Sequence, residues 1–237
     1  MGNHYFQFKQ FTVDQQHCAM KVCTDACLFG GWVAHFAGAP TWKHILDVGT
    51  GTGLLSLMLA QKTSAHITAI EIEDAAVQQA TANFSASPWR NRLHIIHQDL
   101  RTYNPIQSFD LVMSNPPFFE NDLHSQNQKR NIALHSSSLS SASLMERVAK
   151  LTGEQGKLAL LLPYHRTDLF LQLALEHGLH VQYLCNVRQT EKHPFFRSMI
   201  CFGRDQQKAV TEEITIKENG EYSSFFKQLL QEYYLHL

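Results

Sequence analysis

Residues Ile45-Leu46-Asp47-Val48-Gly49-Thr50-Gly51-Thr52-Gly53 constrain this chain more than any other stretch. A short apolar run ends in glycines at alternate positions and passes at once into Leu54-Leu55-Ser56-Leu57-Met58-Leu59-Ala60. The pattern predicts a buried strand that turns directly into a helix, the entry to an α/β unit. Glycines there let the backbone approach a ligand where a β-carbon would collide. A dinucleotide-binding turn would need its third glycine at position 54. That position holds Leu54, and the spacing is G-x-G-x-G. Asp47, just before the turn, would also sit poorly beside a pyrophosphate. The turn therefore suits a cofactor with an amino-acid tail and no phosphates, and disfavours NAD.

Three further strand ends carry polar groups. Ile67-Thr68-Ala69-Ile70 ends at Glu71, eighteen residues past Gly53, where a carboxylate can accept both hydroxyls of a ribose. Leu93-His94-Ile95-Ile96-His97-Gln98 leads to Asp99, an acceptor placed to read the amino edge of an adenine. Phe109 to Ser114 reads as a buried strand closed by Asn115-Pro116-Pro117-Phe118. The two prolines remove amide donors and force an extended exit. A carbonyl of Asn115 or Pro116 can then face a ligand, beside the Asn115 side chain and the flat ring of Phe118. Two acceptors and a stacking face are what a planar exocyclic amine needs.

In this order the residues resemble the class I S-adenosylmethionine-dependent methyltransferases, within them the amino-methylating branch marked by Asn-Pro-Pro-aromatic. Phe8-Lys9-Gln10-Phe11-Thr12-Val13, Cys18 to Leu28 and Ala86-Ser87-Pro88-Trp89 narrow the resemblance to the bacterial tRNA(Val)-specific adenine N6-methyltransferase family. It covers most of the chain. The resemblance implies an α/β, Rossmann-like fold: a mostly parallel seven-stranded sheet, its last strand antiparallel, with helices on both faces. It implies S-adenosylmethionine as cofactor, and methylation of the adenine just 3′ of the anticodon. Asp47, Gly49, Gly51, Gly53, Glu71 and Asp99 would line the cofactor. Lys21 to Leu28 would pack over its methionine end, with Lys21 and Thr24 among the contacts. Asn115, Pro116, Pro117 and Phe118 would hold the base. Two positions depart from the family pattern, which usually has tyrosine at Phe118 and glycine at Cys23. Phe118 keeps a stacking face without the phenol hydroxyl, and NPPF also occurs in ribosomal RNA guanine N2-methyltransferases. That activity and methylation of a protein glutamine amide are the enzymatic alternatives; a non-catalytic RNA-binding module would leave Asn115 and the glycines unexplained.

The 237 residues, 44% of them apolar, can bury one substantial core. No run approaches the ~18 to 20 apolar residues of a membrane span. Residues 1 to 30 lack a secretory h-region, so the five cysteines are expected to be reduced thiols in the cytosol. His17, Cys18, Cys23 and Cys27 match no zinc-ligand spacing and read as packing residues, with no metal expected. A net charge of −1 gives no global attraction to nucleic acid. Two local segments could attract it. Residues 124 to 135 hold His124, Lys129, Arg130 and His135 without an acid. Residues 188 to 204 hold Arg188, Lys192, Arg197 and Arg204 against Glu191 alone, among His193, Phe195 and Phe196. Basic and aromatic residues together suit phosphates and unpaired bases. Lys129, Arg130, Arg188, Lys192 and Arg197 are the candidate contacts to a tRNA anticodon loop.

One structural domain is expected, with residues 1–40 an extension over the cofactor site and 41–237 the methyltransferase domain. Asp74 is placed to cap a helix carrying Val77, Ala80 and Phe84. Leu144, Val148 and Leu151 mark a second helix face. Lys157 to Leu162 reads as a strand stopped by Pro163, and Thr167 to His177 as a helix with Gly178 as C-cap. His180 to Val187 and Ser198 to Phe202 are the expected last two strands, which the resemblance implies pair antiparallel. Phe225, Phe226, Leu229, Leu230 and Tyr233 give a closing amphipathic helix.

Overall fold

The computed structural model describes residues 3–16, 18, 21–36, 41–117 and 139–237. A hairpin of β1 (Tyr5–Gln7) and β2 (Thr12–Asp14) leads through α1 (Thr24–Phe36) into the main sheet. The sheet begins with β3 (His44–Val48), α2 (Leu54–Lys62), β4 (His66–Glu71), α3 (Asp74–Ala86), β5 (Leu93–His97) and β6 (Phe109–Ser114). Further along the chain come α4 (Ser141–Leu151), β7 (Thr152–Pro163), α5 (Thr167–Glu176), β8 (His180–Thr190) and β9 (Phe195–Gly203). The chain closes with β10 (Val210–Glu218), β11 (Glu221–Tyr222) and α6 (Ser224–Leu230). The order across the sheet is β11-β10-β8-β9-β7-β6-β3-β4-β5.

The strands read as near-continuous apolar runs because both faces are covered. Alternate residues feed two separate layers. Ile45, Leu111, Met113, Ala159 and Leu161 join α1, α2, α3 and α6 in one core. Leu46, Val112, Leu158, Leu160 and Leu162 join α4 and α5 in the other. Strands β5, β4, β3, β6 and β7 run parallel, and β9 lies antiparallel between β7 and β8.

The sheet departs from the expected seven strands: among the described residues it has nine, and the antiparallel β9 is not the last. Residues 210–222 add β10, parallel to β8, and the two-residue β11. Ile214 and Ile216 of β10 are buried in the first core, so α6 acquires a sheet surface to cover. The helix cap also differs from expectation. Glu73 precedes α3 without a side-chain capping bond, while Asp74 is the first helical residue and accepts from Gln78 Nε2 at 2.7 Å. Gly178, at φ 69°, ends α5 as expected, with Leu179 N donating back to Ala174 O.

The two chain ends meet. Lys9 N donates to Tyr233 O at 2.8 Å, Phe8 bridges to Tyr234, and Tyr233 Oη donates to Met58 O at 3.1 Å. Phe8, Phe11 and Val13 are buried in the same core as Trp32 and Met58. No helix among the described residues is long and apolar enough to cross a membrane.

Candidate active site

The C-terminal ends of β3, β4, β5 and β6 converge on the glycine turn. Gly49 and Gly51 adopt φ of 69° and 58°, and a β-carbon on either would meet nothing within 4 Å. Their need for glycine is conformational, and the space above them is open. Gly53 has a different reason: at φ 84°, its β-carbon would fall 2.5 Å from the Phe84 ring. The turn is fixed to β4 through Gly49 N, which donates to Ile70 O at 2.9 Å.

Asp47 lies fully buried beneath this turn. Its Oδ2 accepts from Thr50 Oγ1 at 2.6 Å and Ser56 Oγ at 2.7 Å, while Oδ1 has no protein partner. Burial pushes its carboxyl up to about 6, against the two hydroxyls that favour the charged form. Glu71 is nearly buried. Oε2 accepts from Gly51 N at 2.9 Å, and Oε1 accepts from Ile72 N at 2.8 Å and Glu73 N at 3.1 Å. Glu71 therefore holds the glycine turn as well as presenting a carboxylate beside it. The Cys18 thiol is pushed up to about 11, first by burial and then by the Glu71 charge, which brings the N-terminal segment to this strand end.

Asp99 stands two residues past β5 and is committed to Arg101, with Oδ2 at 2.8 Å from Nε and 2.5 Å from Nη2. That hydrogen-bonded guanidinium lowers the Asp99 carboxyl below its ordinary value. Beyond the pair Val48↔Ser114, Gly49 and Asn115 are the next residues along their parallel strands. Ser114 Oγ donates to Val48 O at 2.8 Å and locks the two exits together. Asn115 and Pro116 are half-buried and Pro117 is exposed. Phe118, Lys129 and Arg130 lie outside the described residues.

Thr24, the first residue of α1, and Lys21, three residues before it, are both exposed. Lys192 is exposed in the β8–β9 turn. Arg188 donates from Nε to Thr215 Oγ1 at 2.9 Å and lies 3.7 Å from Glu213. Arg197 is engaged with Asp25 at 2.8 Å, which ties β9 to the first turn of α1. Among the described residues, no group of three His, Cys, Asp or Glu gathers as a metal cluster.

Several residues that build the site are absent from the motif-based expectation. Asn83 is buried on α3. Its Oδ1 accepts from Asp14 N at 2.9 Å; its Nδ2 donates to Asp14 O at 2.9 Å and Thr52 O at 2.8 Å. One amide thus clamps the N-terminal hairpin to the glycine turn. The signal lay in phase: Asn83 shares the inner stripe of Ala76, Gln79 and Ala80, where a polar group must find partners. Thr50, Ser56 and Arg101 had no comparable signal.

A parallel sheet with the antiparallel β9 inserted, a glycine turn after its central strand and an acid at the next strand end define the methyltransferase class of α/β folds. Residues 32–146 match the family model "Methyltransferase small domain". Two solved structures share the fold. One is Atu636 of Agrobacterium tumefaciens, described as a predicted O-methyltransferase, with TM-score 0.67 at 14% identity over 88% of this chain and 96% of that one. The other is magnesium protoporphyrin IX methyltransferase from Synechocystis, with TM-score 0.52 at 17% identity over 77% of this chain and 78% of that one. The chain belongs to the tRNA1(Val) (adenine(37)-N6)-methyltransferase family. It is 40% identical to the Bacteroides thetaiotaomicron member over 100% of both chains. It is 39% identical to the Tolumonas auensis member, over 100% of this chain and 99% of that one.

Proposed function

We propose that this chain transfers a methyl group from S-adenosylmethionine to N6 of adenine 37 in tRNA(Val), the activity its full-length relatives are named for. The observation that carries it is the pairing Val48↔Ser114, which sets the glycine turn and Asn115 side by side at one strand end. The residues present fit the cofactor. Gly49 and Gly51 leave an open cradle, and Asp47, with an unmet acceptor oxygen, suits a ligand that brings positive charge. Glu71 would accept the ribose hydroxyls, Asp99 would face the adenine, and Lys21 and Thr24 would lie over the methionine end. When bound, the cofactor supplies an electrophilic methyl group on a sulfonium.

The chain's own groups then position the acceptor. Adenine's exocyclic nitrogen is a weak nucleophile because its lone pair is delocalised into the ring. Acceptors at Asn115 and the Pro116 carbonyl would take its two N–H bonds and favour a pyramidal nitrogen with an aligned lone pair. Positioning and electrostatics supply the acceleration, and the nitrogen sheds a proton after transfer. Phe118 would stack on the extruded base, and Pro117 would keep the exit extended. Lys129, Arg130, Arg188 and Lys192 would meet phosphates; the pairing of Arg197 with Asp25 favours a positioning part for that residue.

Residues 1–40 would act as an extension over the cofactor, with 41–237 carrying the chemistry. The cytosol is the proposed setting, and all five cysteines are free thiols. The deciding experiment incubates the protein with labelled cofactor and total tRNA, ribosomal RNA or protein, followed by digestion and product analysis. N6-methyladenosine from tRNA(Val) is the expected product. N2-methylguanosine or methylglutamine would overturn the assignment.

A further inference from the structure

Among the described residues, Tyr164 and Phe195 are neighbouring aromatic rings outside both cores. Tyr164, 41% exposed, opens the short 3-10 turn Tyr164–Arg166 that follows β7, and its ring sits 5.3 Å from that of Phe195 at the start of β9. Neither ring belongs to either hydrophobic cluster. The Arg188 guanidinium lies over the Phe195 ring, 5.4 Å from its centroid. An aromatic that packs in no core, touches a second one and carries a cation is built for a planar partner.

Register fixes where this group stands. Ser114 pairs with Leu160, the last pair between β6 and β7, and that register carried onward sets Asn115 to Pro117 beside Leu161 to Pro163. Pro163 pairs with Arg197, and Phe195 with Arg188. Passing from Asn115 across the sheet, Tyr164 follows one strand away, Phe195 two and Arg188 three. At ~4.8 Å per strand the group is displaced roughly 5 to 14 Å across the sheet from the strand that carries Asn115. Stacked nucleotides advance ~3.4 Å each, so this span suits roughly two to four nucleotides beside an extruded base.

The charges beside the rings balance, Arg188 and Lys192 against Glu191 and Glu213, so the rings select the partner and the exposed Lys192 offers it a phosphate contact. Lys192 is exposed in the adjoining β8–β9 turn and His165 is exposed next to Tyr164, with His193 held to Thr190 Oγ1 at 2.7 Å. The acids are Glu191, exposed in the same turn as Lys192, and Glu213, 3.7 Å from Arg188. Arg197 is spent on Asp25 and adds no net charge.

We propose that Tyr164 and Phe195, flanked by Arg188 and Lys192, form a stacking and phosphate-contact surface for the unpaired loop nucleotides that adjoin the methylated base. This rests on the RNA-methylating function proposed above. The surface stacks one or more flanking bases without reading their edges, so it sets affinity for the loop and leaves methyl transfer to the strand-end residues.

Steady-state methylation of tRNA(Val) transcript tests it. Tyr164→Ala and Phe195→Ala should each raise KM for tRNA by about tenfold or more, with kcat changed less than twofold and S-adenosylhomocysteine affinity unchanged by calorimetry. Tyr164→Phe should restore the wild-type KM. Lys192→Gln should flatten the salt dependence of log KM by roughly 0.7 to 0.9, the signature of one phosphate contact. A wild-type KM in Tyr164→Ala overturns the surface while leaving the function standing; Tyr164 is exposed, so this variant decides even where Phe195→Ala unfolds. A wild-type protein that methylates no tRNA overturns both.

Discussion

Asn115 and Asp47 show how differently two polar residues at one site behave. Asn115 stands half-buried beyond the last paired residue of its strand, where its amide can reach a ligand. Asn115→Ala should lower kcat at least ~100-fold, the scale of one aligned catalytic hydrogen bond, while calorimetry finds S-adenosylhomocysteine affinity nearly unchanged. Retention of wild-type turnover would reduce the Asn-Pro-Pro exit to a turn. Asp47 is fully buried and titrates at about 6, above the value near 4 of an unfolded aspartate. Between those values the folded protein holds a proton that the unfolded chain has released, so stability falls as pH rises and the loss is complete above about 6. Asp47→Asn removes that titration. Relative to wild type, the variant should gain about 2 kcal/mol from pH 4 to pH 7, measured by urea unfolding at both. A difference that does not change with pH would count against a buried, titrating Asp47.

At the scale of elements, the apolar phases were legible wherever a segment had one inner face. Leu144, Val148 and Leu151 are buried on α4, and Gly178 ends α5, as their spacing predicts. β10 was missed because only Ile214 and Ile216 alternate in a strand whose other residues are mostly charged or hydroxyl-bearing; an edge strand buries too little to announce itself. The cap of α3 was misplaced by one residue, since Glu73 and Asp74 are both acidic and only backbone geometry separates them. Asn83 couples three elements. Asn83→Ala removes three hydrogen bonds at ~0.5 to 1.5 kcal/mol each and should destabilise by roughly 2 to 4 kcal/mol. Hydrogen exchange at the Asp14 amide should accelerate more than exchange in β7; equal protection in variant and wild type would remove the clamp from the account.

Across the whole molecule, the N-terminal hairpin is sealed into the same core as α1, α2 and α6. A chain beginning at residue 41 would expose the apolar surface that Phe8, Phe11, Val13 and Trp32 cover. It should lose the cooperative thermal transition of the full chain, and a sharp calorimetric transition near the wild-type temperature would show that the extension is separable. Sequence alone determined the glycine turn, the acids that follow it and the alternation of strand and helix, because each is enforced within a few residues by backbone sterics and apolar period. Tertiary structure decided the rest. Asp25 claims Arg197 across 172 residues, Asn83 finds Asp14 across 69, and β9 inserts between β7 and β8. These pairings join groups whose separation along the chain carries no local preference. They exist only once two cores have closed on the sheet and left each buried polar group one partner within reach.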